Sequence, residues 1–241
     1  MAVSELHRQV ASVALAAAAG HGFALGGGNA LLAHGIISRP TQDVDLFTDQ
    51  EHGVEAAADA VEAALRGAGF AVERQQADDG GLDDIFPDMG QGLAEWIVSS
   101  PSGAQMVLQL AYFDRSREPE VMEIGPVLAV EDVAGGKVCA LASRVEPRDY
   151  ADTARMLERY SPAELIRFAQ RLDPGLTALD FADAGRQLDH IDDEAFTRYN
   201  LGPSEVAIVR QRFEAWPRTT DAARLEMRAS ESDRQDPEAA T

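Results

Sequence analysis

Apolar and polar positions along the chain predict a sequence of short alternating elements. Residues 4–19 carry an alanine-rich helical pattern that stops at Gly20 and Gly22. An apolar run at 23–25 reads as a short strand leading into Gly26, Gly27 and Gly28, and 29–34 as the first turns of a second helix. At 43–47, DVDLF alternates polar and apolar, the period of a half-buried strand. An alanine-rich helix is predicted over 51–67 and a strand over 70–74, followed by a polar, Gly- and Asp-rich loop at 78–92. Strands at 95–100 and 105–113 flank the turn Pro101-Ser102-Gly103.

The pattern changes after residue 116. Pro119 and Pro126 punctuate a linker with a short strand near 127–130, and beyond it the periodicity is helical. Helices are predicted at 132–145, 147–160, 162–171, 176–187 and 204–213, with Pro147 and Pro162 in first-turn positions where a missing N–H costs nothing. The expected fold class is therefore α/β: a mixed sheet with helices over 1–116, then a mainly helical domain over 117–228. Residues 229–241 are polar without an apolar anchor and are expected to be a disordered tail.

Composition narrows the function. With 45% hydrophobic and 26% charged residues in 241, the chain reads as globular. The apolar stretch VALAAAAGHGFALGGG is broken by Gly and His and lacks a basic start, so neither a membrane span nor a signal peptide is expected, and the cytoplasm is the expected compartment. Cys139 is the single cysteine, which excludes an internal disulfide framework. A net charge of -20 repels polyanions at long range and counts against a classical DNA-binding protein. It leaves room for an enzyme that touches only a nucleic-acid end through a local basic patch.

The informative segment is LGGGNALLAHGIISRPTQDVDLF. Strand alternation puts Asp43 and Asp45 on one face with Val44 between them. Two close carboxylates repel each other unless they share a hard divalent cation, and Mg²⁺ binds a few carboxylates together with substrate phosphates. Glycines at 26–28 allow a close backbone approach to a phosphate, and Asn29 offers a side-chain donor. Alone, the glycine run reads equally as a turn and the Asp pair as a solvated strand face; their combination is more specific. Neither a P-loop nor a dinucleotide fingerprint is present.

The stretch GGNALLAHG…RPTQDVDLF resembles the first motif of the nucleotidyltransferase superfamily, in the form found in the AbiEii/AbiGii-type, MenT-like toxins of bacterial toxin–antitoxin pairs. A second stretch, Lys137-Val-Cys-Ala-Leu141, Arg144, Arg148-Asp149 and Asp152, resembles that family's K-x-x-A-L-x-x-R…R-D-x-x-D element. The resemblance implies that Gly27, Gly28 and Asn29 hold the triphosphate of an NTP and that Asp43 and Asp45 bind Mg²⁺ or Mn²⁺. It further implies that Lys137 contacts a phosphate and that Asp152 is a further acidic group of the active site. Lys137 is the chain's lone lysine, and an ammonium is a common phosphate binder.

On a helix at 147–160, Arg148, Asp152, Arg155 and Arg159 share one stripe opposite Tyr150, Ala154 and Leu157. The stripe reads either as ordinary i,i+4 pairing of Arg148 with Asp152 or as a basic strip for a triphosphate or an RNA end, with Arg148 counted among the nucleotide-binding residues. Asp43, Asp45, Lys137 and Asp152 are expected to converge on one cleft. Superfamily members often carry a third carboxylate on a later strand; here Gln109 stands in the corresponding place, so that either Asp152 or Asp114 substitutes or activity is reduced. His21 and His34 are read as packing residues.

The leading expectation is a Mg²⁺-dependent transfer of NMP from an NTP to a tRNA 3′ end by the toxin of a toxin–antitoxin pair, with a cognate antitoxin as possible partner and no membrane association. A small-molecule transferase of the aminoglycoside type, and a non-catalytic nucleotide- or partner-binding member, are the alternatives.

Overall fold

The computed structural model describes residues 4–75 and 92–232. Apart from Gly92, the predicted loop at 78–92 lies outside the described residues, as does 233–241 of the predicted tail. The chain forms two compact units, Met1–Val130 and Glu131–Thr241.

The first unit contains α1 (Glu5–Ala17), β1 (Ala24–Leu25), α2 (Gly27–Ala33), β2 (Asp43–Thr48) and α3 (Gly53–Gly67). It continues with β3 (Ala71–Gln75), β4 (Leu93–Ser99), β5 (Gln105–Tyr112), β6 (Glu120–Met122) and β7 (Gly125–Val127). The strands make one seven-stranded mixed sheet in the order β3-β4-β5-β2-β1-β7-β6. The β2–β5 and β1–β7 pairs are parallel, and the others are antiparallel.

One face of the sheet is the core. Val44 and Leu46 of β2, Leu108 and Leu110 of β5, and Trp96 and Val98 of β4 are buried there. Helix α1 buries Val10, Ala11, Ala14 and Leu15, and α3 buries Val54, Ala57, Ala58, Val61 and Leu65. These recur at helical spacing, and the small alanines let α1 pack against α3 and β2 while α3 reaches β5. Each buried Leu or Val contributes about 1.5–3 kcal/mol, several times the propensity differences between helix-forming residues; packing therefore sets which helix face turns inward. The intervening strand residues, Asp43 and Asp45 among them, are half-buried on the opposite face.

The segment read as a linker with one short strand near 127–130 instead adds two strands to this sheet. Strands β6 and β7 make a hairpin, and β7 pairs in parallel with β1 through Leu25 and Val127. Three-residue strands are too short for alternation to define their ends; Pro119 precedes β6, and Pro126 lies within β7.

The second unit contains α4 (Val130–Arg144, which begins one residue earlier), α5 (Pro147–Met156), α6 (Pro162–Leu172) and α7 (Ala178–Gln187). It ends with α8 (Asp193–Thr197), α9 (Pro203–Arg212) and α10 (Thr220–Ser232). Pro147, Pro162 and Pro203 occupy helix starts, and Ser161 with Glu164 closes a capping box on α6. The core is aromatic: Tyr150 packs on Phe213 with ring centroids 5.1 Å apart, and Phe213 on Trp216 at 5.7 Å. The polar tips are satisfied, since Tyr150 Oη donates to the Ala184 carbonyl (2.7 Å) and Trp216 Nε1 to that of Phe181 (3.0 Å). Helices α8 and α10 were not predicted: α8 spans five residues, and α10 anchors through few apolar positions, Ala223 being buried while Leu225 is 67% exposed. Helix α10 packs on α6 and α7 and runs into the segment expected to be a tail.

Candidate active site

The glycine turn and the aspartate strand meet directly. Gly26 N–H donates to the Asp45 carbonyl (2.8 Å), and the chain turns at Gly27 with φ +56° into α2. A Cβ on Gly27 would lie 1.8 Å from Asp45 Oδ2, and one on Gly28 would lie 2.6 Å from Thr41 Cγ2. Only glycine combines that left-handed backbone with so close an approach to a carboxylate.

Asn29 stands behind this arrangement. It is fully buried; its Nδ2 donates to the Asp43 carbonyl (2.7 Å) and its Oδ1 accepts from Thr41 Oγ1 (2.7 Å). The side chain ties α2 to the start of β2 from within the protein, holding the two motif halves in register. His34 packs as expected, its Nε2 donating to the Leu128 carbonyl (2.8 Å).

Asp43 and Asp45 project from the same face of β2. On the neighbouring parallel strand, Val107 lies opposite Asp43 and Gln109 opposite Asp45. One strand further, Glu95 lies opposite Gln109 and accepts a hydrogen bond from its Nε2. Sequence reasoning missed Glu95. The signal was present, because Glu95 and Gln109 stand equally far from Ser102 in the β4–β5 hairpin, so the turn fixes their pairing. Asp114 is exposed beyond the end of β5.

The second motif folds into two ion pairs across α4 and α5, each with a buried carboxylate. Lys137 Nζ lies 3.0 Å from Asp152 Oδ2; the Asp152 side chain has no exposure and that of Lys137 is 13% exposed. Arg144 engages Asp149 in a fork, Nε to Oδ2 at 2.8 Å and Nη2 to Oδ1 at 2.9 Å, with Asp149 also fully buried. The spacing explains the pattern: residues 137 and 144 are two turns apart on one face of α4, and 149 and 152 are one turn apart on α5.

Helix α5 ends at Met156, short of the predicted 160, so Arg159 lies on the turn beyond it, and Arg148 and Arg155 on the helix are partly neutralised within their own unit. Arg148 lies beside Glu146, with Nε 2.8 Å from Oε2, and Arg155 pairs with Glu158 at 3.0 Å, which Arg212 also engages. Cys139 lies between the motif residues, and burial, with a smaller contribution from Asp173, pushes its thiol up to about 12.

The donor set suits a hard cation. Asp43 and Asp45 offer carboxylate oxygens beside a side-chain-free turn, and among the described residues no cage of three or more His, Cys, Asp or Glu is gathered. A pair of carboxylates that leaves further positions to a substrate's phosphates is the usual Mg²⁺ arrangement. No described helix is long and apolar enough to cross a membrane.

The protein resembles in structure JHP933 of Helicobacter pylori, with a TM-score of 0.56 at 16% identity over 98% of this chain and 97% of that one. It also resembles MenT4, a nucleotidyltransferase toxin of Mycobacterium tuberculosis, with a TM-score of 0.53 at 15% identity over 94% of this chain and 90% of that one. No curated protein matches the sequence. The model of the family described as nucleotidyl transferase AbiEii toxin, type IV toxin–antitoxin system, matches residues 11–234. A match over nearly the whole chain means that the protein belongs to the AbiEii nucleotidyltransferase toxin family and is a nucleotidyltransferase.

Proposed function

We propose that the protein transfers NMP from an NTP to the 3′ end of tRNA in the cytoplasm, with Mg²⁺ or Mn²⁺ bound by Asp43 and Asp45. The observation that carries this reading is the seating of the Asp45 carboxylate against Gly27, which sets a metal-binding group beside the glycine turn that opens α2. A cation held there supplies charge neutralisation for the transferring phosphoryl group.

The chain's own residues do the positioning. Gly27 and Gly28 let the turn pack against Asp45 and Thr41, so that the start of α2 can present its backbone N–H groups to the triphosphate, and Asn29 holds that turn against β2. Lys137, oriented by Asp152, offers its ammonium to a phosphate, with Arg148 as a second cation; Asp152 acts through Lys137. Arg148 and Arg155 of α5, with Arg159 on the turn beyond it, would receive the RNA end, and the pairing of Arg148 with Glu146 and of Arg155 with Glu158 keeps that attraction modest. Membership of a toxin–antitoxin family supports a cognate antitoxin as protein partner.

The test offers each α-labelled NTP to the full chain with total tRNA and, separately, an aminoglycoside panel, using Asp43→Ala as blank. Label on tRNA 3′ ends is expected. Label on aminoglycosides alone would move the acceptor to small molecules, and label on neither would point to a non-catalytic binding protein.

A further inference from the structure

On the open face of the sheet, Asp45, Gln109 and Glu95 form a row across three adjacent strands. Residues directly opposite in a sheet point to the same side, with strands about 4.8 Å apart. Gln109 therefore stands between the candidate metal-binding carboxylate and Glu95. All three are half-buried, within reach of solvent-borne ligands yet held by neighbours.

The chemistry of the Gln109–Glu95 bond fixes the amide's sense. A carboxylate only accepts, so Gln109 must give Glu95 its NH₂ group, as the Nε2 to Oε2 contact of 2.5 Å shows. The carbonyl Oε1 is then the amide atom left for the site. Amide carbonyls are oxygen ligands for hard cations, whereas an NH₂ turned toward a cation would repel it.

We propose that Gln109 supplies a neutral oxygen ligand to the divalent cation beside Asp45, and that Glu95 is the positioning residue that keeps its carbonyl turned that way. The inference rests on the metal-binding role proposed above for Asp43 and Asp45. It gives the chain a substitute for a third carboxylate that neither Asp114 nor the Lys137-paired Asp152 has to provide.

The experiment titrates the full chain with Mn²⁺, alone and with a non-hydrolysable NTP analogue, following free Mn²⁺ by electron paramagnetic resonance alongside kcat and KM. Glu95→Gln lets the Gln109 amide turn over, and should weaken Mn²⁺ binding about 10–100-fold, the range for groups that orient a metal ligand. The variant should lower kcat with little change in KM for NTP and keep the wild-type melting temperature. Exchanging the pair, Glu95→Gln with Gln109→Glu, preserves the hydrogen bond with donor and acceptor reversed and puts the charge beside Asp45. It should bind Mn²⁺ at least as tightly as wild type. Wild-type Mn²⁺ affinity in Glu95→Gln, or an exchanged pair as weak as that single variant, would overturn the inference while leaving the Asp43–Asp45 reading intact if Asp45→Ala abolishes binding. Mn²⁺ binding unaffected by Asp45→Ala would remove both.

Discussion

Lys137 on α4 and Asp152 on α5 meet at 3.0 Å with the carboxylate fully buried. Breaking such a pair strands a charge and costs about 3–5 kcal/mol, whereas replacing both partners by apolar residues of similar volume is often close to neutral. Lys137→Met and Asp152→Leu should each destabilise the chain by roughly that amount, and the double variant should recover most of it in urea denaturation. Transfer activity should be absent in all three, because the ammonium is missing or misplaced. A stable double variant that regains activity would reduce the pair to a structural role.

Asp43→Asn and Asp45→Asn separate chemistry from folding. Both side chains are half-buried on the sheet's open face, so stability should stay within about 1 kcal/mol of wild type. Transfer should fall by more than the roughly 100-fold typical of residues that merely support a metal ligand. Labelled-NTP transfer and thermal melting of the same preparations decide it; near-wild-type transfer in either variant would sink the assignment.

Gly27→Ala tests the contact between the turn and the strand. The left-handed backbone at φ +56° costs a non-glycine residue about 1–2 kcal/mol. The new Cβ also collides with Asp45 Oδ2, so the carboxylate must shift. A variant that still folds should therefore lose transfer far beyond its loss of stability, with Mn²⁺ affinity falling in parallel. Retained Mn²⁺ affinity would show that the carboxylate does not act from this position.

Cys139 gives a pH-dependent check on the second unit. With its thiol pushed up to about 12 from 9.0, the thiolate fraction at pH 8 is on the order of one in ten thousand. Thiol reagents should modify the native chain slowly and the urea-unfolded chain at the ordinary rate. Because the folded state holds this proton more tightly, the associated stability is complete below pH 9 and declines as pH rises toward 12. Rapid native-state labelling at pH 8 would contradict the burial of this thiol between α4 and the Ala169 carbonyl.

Local pattern determined a good deal of this protein. Alternation in DVDLF put Asp43 and Asp45 on one strand face, proline placement marked the starts of α5 and α6, and the spacing of Lys137, Arg144, Asp149 and Asp152 carried the family's second motif. These features depend on neighbours within one or two turns, where backbone geometry alone fixes direction. What tertiary structure decided was long-range partnership. Asn29, read as a donor toward substrate, is turned inward because Thr41 and the Asp43 carbonyl converge on it. Asp152, read among arginines on its own helix, is buried against Lys137 of another. The β6–β7 hairpin joins the sheet because β1 offers it an open edge, and Glu95 enters the row beside Asp45 because two strands distant in sequence pair in register through β5. Each of these depends on which surfaces are brought together when the sheet and helices pack, which spacing along the chain does not state.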